Sequence, residues 1–87
     1  MNLIFSPQAW DDYLYWLDHD PKMVSRINLL IKEIVRNPHT GIGKPEPLRH
    51  ALAGYWSRRI DSEHRIVYRR SEDGLLIAQL RFHYGKG

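Results

Sequence analysis

The apolar positions along the chain change period once. Between Ser6 and Ile34 they recur at helical spacing, and beyond Gly54 they alternate. Leu3-Ile4-Phe5 is a short apolar run that reads as a strand. Ser6-Pro7 then supplies an N-cap with proline at the first helical position, where its fixed φ suits the helix and its missing N–H is not needed. Trp10, Tyr13, Leu14 and Leu17 follow as one apolar stripe, and Asp18-His19 closes the helix because Asp20-Pro21 repeats the cap signal. A second helix carries Met23, Val24, Ile27, Leu30, Ile31 and Ile34 on its buried side until Asn37-Pro38 stops it. The pair forms an antiparallel hairpin.

Residues 38–54 hold three Pro, three Gly and few apolar side chains, so they read as an ordered loop. Within it Lys44-Pro45-Glu46-Pro47 is stiff, since two prolines fix φ on either side of one carboxylate. The alternating part predicts strands over residues 55–60, 64–70 and 75–84, the last being the longest. They are separated by a turn at Asp61-Ser62-Glu63 and a hairpin at Glu72-Asp73-Gly74. The predicted fold class is α+β in the order β-α-α-β-β-β, an antiparallel sheet with the two-helix hairpin packed on one face. Residues 1–84 form a single domain and residues 85–87 a short tail.

Alternation assigns Trp56, Ile60, Ile66, Tyr68, Leu76, Ala78, Leu80 and Phe82 to the helix side. Ser57, Arg59, Arg65, Val67, Arg69, Gln79, Arg81 and His83 fall on the open side. That open face gathers Arg59, Arg65, Arg81 and His83 without a carboxylate. Like charges on neighbouring strands repel, so an anion would complete the arrangement.

Composition narrows the field. The chain has 87 residues, 43% of them apolar, with enough Trp, Tyr and Phe for one compact core. There is no Cys, which excludes a disulfide scaffold, a thiol nucleophile and a thiolate metal site. No apolar run approaches about 18 residues and no charged n-region precedes one, so the expectation is a soluble cytoplasmic domain with no membrane association. The net charge of +3 is uneven: residues 1–43 carry four basic and five acidic side chains, residues 44–87 nine basic and five acidic. Seven of those nine are Arg, whose planar fork matches phosphate, and a polyanionic partner is the natural complement.

Cleaving RNA through its own 2′-OH needs a base, a cation for the charge on the phosphorane and an acid for the leaving 5′-oxygen. Glu46, isolated in a rigid loop beside the open face, is the candidate base. Arg65 is the candidate stabiliser, with a fork that holds two phosphoryl oxygens. His83 is the candidate acid, its ring suited to proton transfer near neutrality. His19 and His39 stand at helix ends, where capping or solvation explains them. His50 and His64 could pair with Glu46 or Glu63, but no His/carboxylate spacing resembles a metal site, so neither metal nor cofactor is expected. Gly41-Ile42-Gly43-Lys44 lacks the length and the following Ser or Thr of a phosphate loop. Trp10 and Trp16 read as core or interface, and Trp56, beside Ser57-Arg58-Arg59, as core in preference to a stacking platform.

Five segments carry a resemblance. They are Trp10-Asp11-Asp12-Tyr13-Leu14-Tyr15-Trp16, Gly43-Lys44-Pro45-Glu46-Pro47-Leu48, Trp56-Ser57-Arg58-Arg59-Ile60, Glu63-His64-Arg65 and His83-Tyr84. Together they resemble YoeB-type toxins of the RelE/ParE superfamily, over residues 1–84. The resemblance implies a RelE-like, microbial-ribonuclease-like fold and a metal-independent, ribosome-dependent mRNA endoribonuclease that inhibits translation. Its products would end in 2′,3′-cyclic phosphate or 3′-phosphate and in 5′-hydroxyl. Partners implied are the ribosome and its mRNA, a cognate YefM-type antitoxin and a second copy in a homodimer. By motif, Glu46, Arg65 and His83 match the family's base, stabiliser and acid, Arg49 and Arg59 match grips on the RNA backbone, and Tyr84 matches a residue that orients the scissile nucleotide. Arg49 stands where the family commonly has Lys. Strict alternation puts Tyr84 on the helix side, so the strand must end or bulge near residue 83 for it to reach the site. Two alternatives on the same scaffold are a non-catalytic ParE-like gyrase poison, which has no need of the Glu46, Arg65 and His83 trio, and a basic nucleic-acid-binding module.

Overall fold

Ser6 caps α1 (Pro7–His19) by accepting from the Ala9 N–H at 3.0 Å, and its hydroxyl donates to Ala78 O at 2.8 Å, tying the cap to the sheet. Asp20 repeats the device for α2 (Pro21–Arg36), its carboxylate accepting from the Lys22 N–H at 3.2 Å. The computed structural model describes residues 1–83, so Tyr84 and residues 85–87 lie outside the described residues.

α2 buries Met23, Ile27, Leu30, Ile31 and Ile34, the expected face. α1 turns a different face inward: its buried residues are Ala9, Asp12 and Trp16. Trp10, Leu14 and Leu17 remain exposed, Trp10 by 51%. Apart from Tyr13, which packs against the core, the apolar stripe of this helix therefore looks away from it, because Asp12 and Trp16 turn inward to hydrogen-bond the chain that follows the sheet.

The sheet contains β1 (Leu3–Phe5), β2 (Glu46–Pro47), β3 (Trp56–Arg59), β4 (Arg65–Ser71) and β5 (Gly74–Gln79), in the order β1-β5-β4-β3-β2. Two features correct the expectation of a wholly antiparallel, four-stranded sheet. β1 runs parallel to β5, Leu3 lying opposite Leu75, which makes the sheet mixed. The stiff loop contributes β2, with Glu46 opposite Ser57 and Pro47 opposite Trp56. Proline is tolerated there because the strand is an edge.

A bulge in β5 corrects the inward set. Tyr68 pairs with Ile77 but Val67 with Gln79, leaving Ala78 as the extra residue. Leu75 and Ile77 before the bulge and Leu80 after it are core residues, whereas Leu76 points the other way and Phe82 is exposed. β5 ends at Gln79, so β4, with seven residues, is the longest strand.

The buried surface also encloses one guanidinium. Arg58 shares the helix-side register with Trp56 and Ile60 and is fully buried. Its Nη1 donates to Ile42 O at 3.1 Å, its Nη2 to Thr40 O at 2.8 Å and to Asn37 O, and its Nε to the Tyr68 hydroxyl at 3.2 Å. The loop over residues 37–44 thus wraps this side chain. Gly43 lets it come close: at φ +83°, an added Cβ there would lie 3.1 Å from Arg58 Cβ.

Candidate active site

The register of the strands assembles the open face. β2, β3 and β4 place Glu46 opposite Ser57, Ser57 opposite Val67 and Arg59 opposite Arg65. Side chains at directly paired positions point to the same side, as do positions two apart, so Glu46, Arg59 and Arg65 share one face. From two strand spacings and a two-residue offset, the Cα atoms of Glu46 and Arg65 lie about 12 Å apart. Leu48 and Val67, buried yet outside the main core, show that this side is a packed floor rather than a bare wet sheet.

Arg65 is held rather than waving in solvent. It is 8% exposed, and its Nη1 donates to the carbonyls of Asp61 at 3.0 Å, His64 at 3.1 Å and Ser62 at 3.4 Å. Three carbonyl dipoles on one nitrogen fix the fork and offset the cost of burying its charge. Arg59 stands opposite, exposed, so two guanidinium groups flank one strip of the sheet. Glu46 and Arg49 line one hollow of about 470 Å³ with Leu48, His50 and Leu52.

His83 arrives by a different route. The Arg65 N–H donates to Phe82 O at 2.9 Å, so the residue before His83 is docked on the residue that carries the candidate stabiliser. Leu80 donates its N–H to Asp12 Oδ2 at 2.9 Å and accepts from Trp16 Nε1 at 2.8 Å. The Phe82 N–H donates to His64 Nδ1 at 2.7 Å. Residues 80–82 are therefore held by the side chains of Asp12, Trp16 and His64 together with one backbone bond from Arg65, and the strand ends at Gln79, before residue 83; Tyr84 itself lies outside the described residues.

Arg81 does not join the open face, contrary to expectation. Once the chain leaves the sheet at Gln79, alternation no longer governs it, and the guanidinium lies 3.5 Å from the centre of the Tyr15 ring on α1. His64 does lie beside Glu63, Nε2 being 3.5 Å from Oε1, but the bonds of Asp12 and His64 to residues 80 and 82 are not among the sequence expectations. For Asp12 a signal existed, since a carboxylate four residues before Trp16 on a buried helix face must accept a hydrogen bond. For His64 no local pattern marks the contact, which joins residues 18 apart.

Burial pushes the Asp12 carboxyl above the ordinary 3.8, while the Leu80 N–H and Arg81 pull it back down. The folded chain thus holds this proton more tightly than the unfolded one. The resulting stabilisation is full below about pH 3.8 and is lost as pH rises through the folded value. Asp12→Asn keeps an acceptor for Leu80 but does not titrate. In urea titrations between about pH 3 and pH 7, the stability of this variant relative to wild type should rise with pH. A difference that stays flat would show that Asp12 titrates alike in both states.

Among the described residues, no three His, Asp or Glu side chains cluster closely enough to hold a metal ion, and no helix is long and apolar enough to cross a membrane.

A family model described as "YoeB-like toxin of bacterial type II toxin-antitoxin system" matches residues 5–84, and the chain belongs to that family. It is 57% identical over 84 residues to Toxin YoeB of Escherichia coli strain K12, covering 97% of this chain and 100% of that one. A YoeB/ParE toxin from Agrobacterium tumefaciens superposes with a TM-score of 0.93 at 52% identity, covering 97% of this chain and 100% of that chain. Two Staphylococcus aureus structures match at 50% identity over 97% of this chain and 98% of theirs. One is a YoeB dimer, TM-score 0.90, and the other a heterotetrameric YoeB-YefM toxin-antitoxin complex, TM-score 0.88. The fold is accordingly α+β and RelE-like, and the protein is a toxin of a type II toxin–antitoxin system.

Proposed function

We propose that this toxin is a metal-independent endoribonuclease that cuts mRNA in the translating ribosome. The observation that carries the proposal is the register that puts Glu46 and Arg65 on one sheet face, with the chain before His83 docked on Arg65. Glu46 takes the proton of the 2′-OH, whose oxygen attacks the adjacent phosphorus. Arg65 stabilises the extra negative charge on the phosphorane. The bond from phosphorus to the 5′-oxygen breaks as His83 donates a proton to that oxygen. One fragment ends in a 2′,3′-cyclic phosphate, or in 3′-phosphate after hydrolysis, and the other in a 5′-hydroxyl. Arg49 and Arg59 grip flanking phosphates, and Tyr84 orients the scissile nucleotide. Mapping fragment ends from ribosomes incubated with the toxin tests this scheme: cyclic phosphate and 5′-hydroxyl ends are expected. Ends carrying 5′-phosphate and 3′-hydroxyl would make water the nucleophile and overturn it.

Two protein partners fit two surfaces. A YefM-type antitoxin neutralises the toxin with an acidic segment over the Arg59 and Arg65 face, making its association fast and salt-sensitive. A second copy suits the opposite side, where Trp10 and Tyr13 stack at 6.1 Å and Phe5 meets both rings edge-on. Leu3, Ile31 and Val35 extend that apolar hollow. Stopped-flow association should slow several-fold from about 50 to 500 mM salt and with Arg59→Ala. A rate indifferent to both would move the inhibitor to the helical side.

A further inference from the structure

We infer that His64 is a positioning residue, holding in place through Nδ1 the chain segment that carries His83. The inference rests on the role proposed above for His83 and adds to it the side chain that sets the geometry.

The contact is specific. The Phe82 N–H is a donor only, so His64 Nδ1, 2.7 Å away, must present its lone pair. The proton of the neutral ring then sits on Nε2, which lies 3.5 Å from Glu63 Oε1. The ring is fixed from two further directions. It meets Trp16 edge to face at 4.9 Å, and its side chain is only 12% exposed, so water competes poorly for Nδ1. Its own backbone N–H donates to Asp61 Oδ1 at 2.6 Å, which sets the turn from which it projects.

The segment needs such a hold. Phe82 has φ +65°, a left-handed conformation disfavoured for a bulky side chain and retained only where the surroundings impose it. Three bonds hold that residue: its N–H donates to His64, and its carbonyl accepts from the Arg65 N–H at 2.9 Å and, more weakly, from Gln79 Nε2 at 3.3 Å, so the bond to His64 is the one that holds its N–H. Losing the first would let Phe82 relax toward an ordinary conformation and swing the next residue, His83. One turn, Asp61 to His64, therefore sets both halves of the site, because its carbonyls also receive Arg65 Nη1.

His64→Phe keeps a ring against Trp16 and removes the acceptor. His64→Asn places an amide oxygen near the position of Nδ1 and restores it. Amide hydrogen exchange reads the hold without reference to activity, and single-turnover cleavage on programmed ribosomes reads its consequence. The expected result for His64→Phe is loss of Phe82 amide protection and a rate at saturating toxin roughly 10–100-fold lower, with half-saturation unchanged and β4 amides still protected. His64→Asn should recover both quantities to within about threefold. Full Phe82 protection in His64→Phe, or no recovery in His64→Asn, would overturn the inference. Lost protection with undiminished cleavage would uphold the hold by His64 and overturn instead the role given to His83.

Discussion

Glu46→Gln and His83→Gln should each slow cleavage on the ribosome by about 10²–10⁴-fold while leaving ribosome binding nearly unchanged. Gln preserves the size and polarity of Glu46 but cannot take a proton, and at position 83 it cannot exchange one near neutral pH. Arg65→Ala should cost a comparable factor, about 10²–10³, since it removes a fork already pinned by three carbonyls and hence organised before substrate arrives. Because Arg65 is buried, its melting temperature is measured alongside; Arg65→Lys, which keeps a charge but not the fork, separates geometry from charge. On the proposed mechanism the three losses should not add, since all three residues would serve one transition state. Single-turnover kinetics on programmed ribosomes provides the measurement. A His83→Gln variant that cuts at the wild-type rate would remove His83 from the mechanism.

The largest effect on stability should come from Arg58→Met. Methionine fills a similar volume but leaves the carbonyls of Ile42, Asn37 and Thr40 without their donor. Each orphaned acceptor costs about 1–3 kcal/mol unless water reaches it. A total of about 3–5 kcal/mol is a large part of the 5–15 kcal/mol that holds a typical domain. The melting temperature should fall by at least about 12 °C, read by calorimetry. The loop over residues 37–44 should loosen first, because this guanidinium is what it wraps. A fall below about 4 °C would show that the loop stands without Arg58.

These two side chains also mark what was legible in the sequence. Serine or aspartate followed by proline announced both helices, because capping is local chemistry that needs no tertiary context. Alternation correctly placed Trp56, Ile60, Ile66 and Tyr68 on the core side and Arg59 and Arg65 on the other. The same alternation sends Arg58 inward, a demand for buried acceptors that the carbonyls of Asn37, Thr40 and Ile42 meet. Gly41 makes room for a guanidinium, not a phosphate, since a Cβ there would lie 3.2 Å from Arg58 Nη1. Local pattern failed where non-local contacts govern. The bulge at Ala78 reverses the faces of β5, and the tether of residues 80–83 to Asp12, Trp16 and His64 draws Arg81 onto Tyr15. No window of a few residues contains those partners.

The parallel pairing of β1 with β5 has a consequence for the order in which the protein can be made. Leu3 waits for Leu75, and the cap hydroxyl of Ser6 for Ala78, 72 positions later. The helix hairpin can close on itself early in synthesis, but the sheet that completes its burial cannot. Loop closure across nearly the whole chain is the slow, late step. The same late residues bring in the Phe82 docking that precedes His83. A nascent chain still being translated therefore has β1 in place but unpaired, and it lacks the His83 to which the proposed mechanism gives the part of acid.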